Sequence, residues 1–235
     1  MSICFKTLPK HVAIIVDGNR RWARKRRLPD IAGHKYVADN ILEPLIYRCL
    51  ELKIPYITFW AFSTENWKRG KKFASALFQL LRHGLKKSME KYEKAGMRLN
   101  TIGDVSKLPK DLVKDLVCWQ EKSKNNKKIT VTMALNYGGR DEIVRAVQRL
   151  SSKVQRFKGS KVTEEEFEKC LDTAGMPDPD LIIRTGGAKR LSGFMLWQLE
   201  YSELYFTDVL MPDFTVKEFG KALREYAKRQ RRFGK

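Results

Sequence analysis

The stretch His11-Val12-Ala13-Ile14-Ile15-Val16-Asp17-Gly18-Asn19-Arg20-Arg21-Trp22 decides the fold. Its unbroken apolar run, rich in β-branched residues, reads as a strand buried on both faces, as in a parallel sheet. The strand delivers an acid, Asp17, to its carboxyl end. Gly18 then permits a tight turn into a basic, helix-competent stretch. In that arrangement the amides from Gly18 through Arg21 sit where a helix N-terminus cradles phosphate. Asp17 beside them offers a hard carboxylate oxygen of the kind Mg²⁺ takes. An ordinary turn with an Asx cap accounts for Asp17-Gly18-Asn19 equally well.

Working outward, the same alternation repeats. Strands are expected at Val12–Val16, Tyr56–Trp60, Arg98–Ile102, Ile129–Leu135, Leu181–Ile183 and Leu204–Val209. Helices are expected between and after them at Lys35–Leu52, Phe73–Lys94, Lys110–Lys124, Arg140–Lys153, Thr163–Leu171 and Val216–Arg229. Phe73, Leu77, Leu80, Leu81, Leu85 and Met89 recur at helical spacing and form one apolar face. No repeat, low-complexity tract or linker interrupts the pattern. The expectation is one α/β domain over residues 1–235, a mostly parallel sheet flanked by helices. In such sheets sites collect beyond the carboxyl ends of the strands.

Composition narrows the partners. Hydrophobic residues make up 43% of the 235 residues, which excludes wholesale disorder. Lys and Arg number 47 against 27 Asp and Glu, a net charge of +20 that points to anionic partners. Phosphorylated small molecules, nucleic acid and an anionic membrane surface all satisfy it. The apolar runs are too short to span a bilayer, and the N-terminus lacks the apolar core of a secretory signal. Four scattered cysteines (Cys4, Cys49, Cys118, Cys170) have no metal-ligand spacing, so a reducing cytosol is the expected compartment.

Three further blocks follow strands. Phe59–Arg69 ends an aromatic strand in polar residues, and a loop capped by Asn66 over packed aromatics explains it without function. In Pro179–Ser192, Arg184 and Arg190 flank Thr185-Gly186-Gly187 and precede Leu191 and Ser192. Guanidinium forks match phosphate oxygens, so this block reads as a second anion site. In Leu196–Asp208, Glu203 stands among apolar and aromatic residues, which calls for a cationic or metal partner, although a lone Glu is ordinarily just exposed and spacing does not overturn that reading.

Together, His11–Trp22, Gly33-His34, Ala61–Trp67, Asn136–Asp141 and Asp180–Asp213 resemble the cis-prenyltransferases, isoprenyl transferases of the undecaprenyl diphosphate synthase kind. The resemblance runs in order from about Leu8 to Gly234. It implies condensation of isopentenyl diphosphate with an allylic diphosphate, on a parallel α/β fold with a hydrophobic tunnel between sheet and helices. It also implies a homodimer, cytoplasmic, with peripheral contact at the inner membrane surface for product release. By the same resemblance Asp17 is the catalytic acid that holds Mg²⁺, and Glu203 is a second Mg²⁺ ligand. Gly18, Asn19, Arg20 and Arg21 form the phosphate turn, with Trp22 and His34 beside it. Ser63, Thr64, Glu65 and Asn66 lie between the two substrates, Asn66 at the proton-accepting position, and Trp67 and Arg69 add contacts. Arg184, Arg190, Leu191 and Ser192 match the isopentenyl diphosphate site. Arg232 and Gly234, in Arg231-Arg232-Phe233-Gly234, match an ending that reaches the neighbouring subunit.

The chain departs from the family pattern at several places. Asp30 stands where the family has an Arg, Arg20 and Val37 where it commonly has Gly, Ala188 where it has Glu, and Lys189 where some members have His. Head-to-middle coupling of two allylic diphosphates, as in the lavandulyl-type branch, is therefore an alternative reaction. A basic nucleic-acid-binding protein is the alternative from another class, supported by charge alone; no specific nucleic acid is expected. Phe78, Leu81 and Leu85 are expected to limit the tunnel and keep products short to medium in length.

Overall fold

The computed structural model describes residues 7–154 and 162–229. All six expected strands form: β1 (His11–Ile15), β2 (Tyr56–Ser63), β3 (Met97–Ile102), β4 (Ile129–Tyr137), β5 (Leu181–Arg184) and β6 (Glu203–Phe206). They pair in parallel throughout, in the order β3-β4-β2-β1-β5-β6. Every residue of β1 and β5 is buried, as strands covered on both faces require. The chain winds outward from β1 on one side and then crosses to β5 on the other. A crevice therefore opens beyond the carboxyl end of β1, the switch point where open α/β sheets bind ligands.

The helices are α1 (Asn19–Lys25), α2 (Ile31–Asn40), α3 (Leu42–Glu51), α4 (Lys71–Lys94), α5 (Lys110–Ser123), α6 (Gly139–Val154), α7 (Glu164–Glu168) and α8 (Val216–Lys228). The expected single helix over Lys35–Leu52 is in fact two. Ile41, at φ −112°, breaks it between α2 and α3. The cause is Pro44, whose ring would strike the carbonyl of Asn40 in a continuous helix but is tolerated in the first turn of α3.

One face of the sheet buries Val12, Ile14, Ile57 and Phe59 against Leu45 and Ile46 of α3 and Phe219 and Leu223 of α8. The opposite face buries Ala13, Ile15 and Ile182 against Phe194 and Met195. A third cluster joins Phe62 and Leu135 to Leu77 and Phe78 of α4 and Leu108 and Leu112 beside and within α5. Each fully buried side chain of this size contributes about 1.5–3 kcal/mol. Where α1 crosses α2, Gly33 touches backbone: a Cβ there would stand 2.0 Å from the carbonyl oxygen of Asn19. Only glycine fits.

His11 is fully buried at the start of β1. The Pro177 carbonyl can only accept, so Nδ1 donates to it (2.7 Å) and Nε2 accepts from the Thr58 hydroxyl (2.8 Å). Burial lowers its pKa from 6.5 to about 4. The folded state thus favours neutral His11, and that contribution is complete above pH 6.5 and lost as pH falls through about 4. Its size is about 3 kcal/mol. His34, also lowered to about 4 by burial, titrates in the same window. In His11→Asn, the fall in urea midpoint between pH 8 and pH 5 should be roughly half that of the unmodified protein. An unchanged fall would rule His11 out.

Candidate active site

Asp17 follows β1 and is held from three directions. Its Oδ1 accepts from the Gly18 amide (2.6 Å) and, at 3.5 Å, from Arg21. Its Oδ2 accepts from Arg184 Nη2 at 3.0 Å. The buried Thr185 hydroxyl accepts from the Asp17 amide (3.0 Å) and donates to the Asp17 carbonyl (2.7 Å). Gly18, at φ +101°, makes the turn, and Arg21 ties it to the Gly186 carbonyl at 2.6 Å. Arg184 is 5% exposed at the end of β5. Its Nη1 donates to the Arg190 carbonyl and to Ser192 Oγ (2.8 Å), while its buried Nε has no partner among the described residues. One guanidinium therefore joins the acid after β1 to the loop after β5.

The loop after β2 is a 3₁₀ turn, Thr64–Arg69, closed by a capping box. The Ser63 side chain takes the Asn66 amide, and Asn66 Oδ1 accepts from the Ser63 amide at 3.2 Å. That oxygen is committed to the loop, so Asn66 meets the cleft as a donor. Trp67 pins the turn to β4 by donating from Nε1 to Asn136 Oδ1 (2.7 Å). Asn136, itself in left-handed conformation (φ +47°), donates to the Asp104 carbonyl.

Asp30 gathers two cations at the rim. Arg20 donates to it at 2.7 Å and Arg24 at 2.8 and 2.9 Å. Hydrogen bonds from Arg24, then Arg20, lower its pKa to about 2. The carboxylate where the resemblance places an Arg thus restrains the Arg that replaces a Gly.

A polar cleft of about 400 Å³ opens over these groups, lined by Asp17, Gly18, Asn19, Arg20, Arg21, His34, Ser63, Glu65, Asn66, Arg69, Arg184, Arg190 and Ser192. It adjoins an apolar cavity of about 170 Å³ between the sheet and α2, α3 and α4. Val16, Asn19, His34 and Ala61 line both. Val37, Leu81, Leu85 and Met89 line the cavity, which reaches Tyr92, Met97 and Trp119 towards the amino ends of β3 and β4. Phe78 does not line it. That ring packs instead on Phe62 (5.2 Å) and Trp67 (5.7 Å), because its position on α4 faces the β2 loop.

Five expected site residues lie off the cleft. Trp22 lies on the buried face of α1, donating to Asp213 (2.8 Å), with Arg26 over its ring. Thr64 faces Gly138, Trp67 faces Asn136, and Leu191, half-buried, packs against the core. Glu203 does not meet Asp17 within the chain. It opens β6 opposite Leu181, whereas Arg184 stands opposite Phe206, three positions or about 10 Å further on. Its cationic partner is Arg229, at 2.7 Å. Arg232 and Gly234 lie outside the described residues. The sequence blocks contain Thr185 and Asn136 without giving either a role, and give none to Arg24; Thr185 was signalled by its place directly after Arg184.

Comparison with known proteins gives the family. The prenyltransferase family model, described as undecaprenyl diphosphate synthase, matches residues 15–234. The chain belongs to the isoprenyl transferase family. It is 48% identical to the isoprenyl transferase of Aquifex aeolicus over 97% of this chain and 96% of that one. With the Thermotoga maritima isoprenyl transferase the identity is 45%, over 97% of each. Among solved structures, lavandulyl diphosphate synthase from Lavandula x intermedia, in complex with dimethylallyl diphosphate, superposes with a TM-score of 0.93 at 35% identity, covering 97% and 99%. The family's parallel α/β fold is the one described above.

Proposed function

We propose that the chain condenses isopentenyl diphosphate with an allylic diphosphate to give a cis-polyprenyl diphosphate of short to medium length. The observation that carries this is a cation-lined cleft sharing four wall residues with an apolar cavity. A diphosphate head and hydrocarbon tail need that juxtaposition. Arg184, Arg190 and Ser192 would hold one diphosphate, and Arg21 with the Gly18–Arg21 turn the other. His34 and Trp60 border the reacting ends and help exclude water. Asn66, its oxygen occupied, orients a proton path rather than serving as the base.

The donor set fits Mg²⁺ in a particular way. Asp17 is a single carboxylate, and no group of three potential metal ligands exists among the described residues. Mg²⁺ commonly binds by one or two carboxylates, with substrate phosphates and waters completing its shell. When bound, it would offset charge developing on the leaving diphosphate. The test is incubation of isopentenyl diphosphate with a panel of allylic primers, with and without Mg²⁺, and mass analysis of the products. Failure of every primer to elongate would defeat the reading. Products from two allylic diphosphates alone would favour head-to-middle coupling, which the lavandulyl diphosphate synthase likeness keeps as the second reading.

Two predictions concern selectivity. Asp30→Asn releases Arg20 and Arg24, so the KM for the allylic diphosphate should fall roughly three- to tenfold with kcat little changed. A rise in KM would show that Asp30 organises the site instead. Met89→Ala deepens the cavity and should lengthen products by at least one isoprene unit, at a cost of about 2–4 kcal/mol in stability. Phe78→Ala should leave the cavity floor in place; longer products from it alone would return Phe78 to that role.

The same reading makes the protein a cytoplasmic homodimer that contacts the inner membrane surface when product leaves. Exposed Val144, Val147 and Tyr201 supply apolar area for a second copy, whose site the Arg231–Gly234 segment would complete. Deleting 231–235 should then reduce catalysis far more than stability.

A further inference from the structure

At the end remote from the polar cleft, the apolar cavity is walled by Leu42 and Ile46 of α3 and by Met89 and Tyr92 of α4. A polar clasp joins the two helices there. Glu43 accepts from Lys91, and the Tyr92 hydroxyl donates to the same carboxylate at 3.5 Å. Lys91 Nζ also lies 5.2 Å over the ring of Tyr47, one turn further along α3. The chain places both halves of the clasp. Glu43 follows the break at Ile41 and stands in the first turn of α3, where a helix favours a carboxylate. Lys91 stands in the last turn of α4, where a helix favours a cation. That end of α4 is itself pinned, since Asn126 donates to the Glu93 and Met97 carbonyls at 3.4 and 2.8 Å. The clasp therefore ties the broken corner between α2 and α3 to a fixed helix end.

We infer that this clasp sets the length at which the hydrocarbon tail stops growing, with Glu43 as the residue that determines it. The inference rests on the proposed function for what fills the cavity; the closure of the wall does not. Val37, Leu81, Leu85 and Met89 present apolar surface along the cavity, so each unit added beside them is favoured by leaving water. Beyond Met89 the wall turns polar. Burial pushes the pKa of Tyr92 up to about 12, so its hydroxyl keeps the proton it shares with Glu43. A tail arriving here must part the carboxylate from its two donors and offers no hydrogen bond in return. Elongation loses its drive at that point. The pair is partly exposed and therefore weak, so the clasp biases the stopping point, and loosening it lengthens part of the product.

The test pairs two readouts on Glu43→Gln, on the reversed pair Glu43→Lys/Lys91→Glu, and on Lys87→Gln, an exposed change on the same helix. The first is calorimetric binding of saturated alkyl diphosphates of graded tail length, which needs no turnover. The second is mass analysis of condensation products. In the unmodified protein, affinity should climb with tail length and then level. Glu43→Gln should move the plateau to a longer tail, strengthen binding of the first tail beyond it roughly two- to fivefold, and lengthen products by at least one isoprene unit. The reversed pair should return the plateau towards its original length, and Lys87→Gln should leave it in place. Affinity that never levels in the unmodified protein would overturn the inference, as would an unchanged plateau in Glu43→Gln or an equal shift in Lys87→Gln. Failure of the reversed pair to restore the plateau, at an unchanged melting temperature, would also overturn it; if that variant melts early, Glu43→Gln decides. A plateau that shifts in a protein making no prenyl product would leave the clasp standing and remove the proposed function.

Discussion

Asp17→Ala should reduce turnover by at least about a thousandfold, roughly 4 kcal/mol of transition-state stabilisation, while leaving the protein folded. Asp17 is the carboxylate in contact with both Arg184 and the Gly18 turn, so its loss removes the proposed metal ligand and loosens the phosphate turn together. Stability should suffer little. The side chain is a third exposed, and Arg184 keeps Ser192 and the Arg190 carbonyl as partners. Turnover within about tenfold of the unmodified enzyme, together with an unchanged requirement for Mg²⁺, would remove Asp17 from the mechanism.

The second large effect is expected at Arg184. Arg184→Ala leaves the Asp17 carboxylate without its strongest cation and unties the loop carrying Arg190 and Ser192. Activity should drop at least about a hundredfold, chiefly through a raised KM for isopentenyl diphosphate, and stability by about 1–3 kcal/mol. Arg184→Lys should recover stability better than activity, because an ammonium cannot span Asp17, Ser192 and the Arg190 carbonyl at once. If Lys restores both, a point charge suffices there and the bridging geometry is irrelevant.

The positions of strands and most helices were legible because buried parallel strands announce themselves as apolar runs such as Val12–Val16. Their order across the sheet was not, since it depends on crossovers between distant segments. The break at Ile41 was signalled by Pro44, but the apolar pattern runs smoothly through both helices. Residues at or beyond the carboxyl end of a strand, among them Asp17, Ser63, Arg184 and Arg190, do meet at the cleft. Glu203 stands apart from Asp17 within the chain for a topological reason: it begins β6, so the parallel strand places it at the amino end of the strands, about 10 Å from the level of Arg184. Phe78 misled because helical spacing identifies an apolar face without saying which neighbour each residue meets.

The contact at Gly33 has a mechanical consequence. With no room for even one methyl between α2 and the Asn19 carbonyl, the crossing of α1 over α2 acts as a fixed pivot. Asn19 and His34, one on each side of that pivot, border both the polar cleft and the apolar cavity. Any widening to admit a thicker or longer tail must come from α4 swinging away or from the chain flexing beyond Asn40. The pocket should therefore breathe like a door hung on one post, its tail end gaping while the head end keeps its register. Hydrogen exchange along α2 would show that asymmetry as slow amides near Gly33 and faster ones towards the Ile41 break.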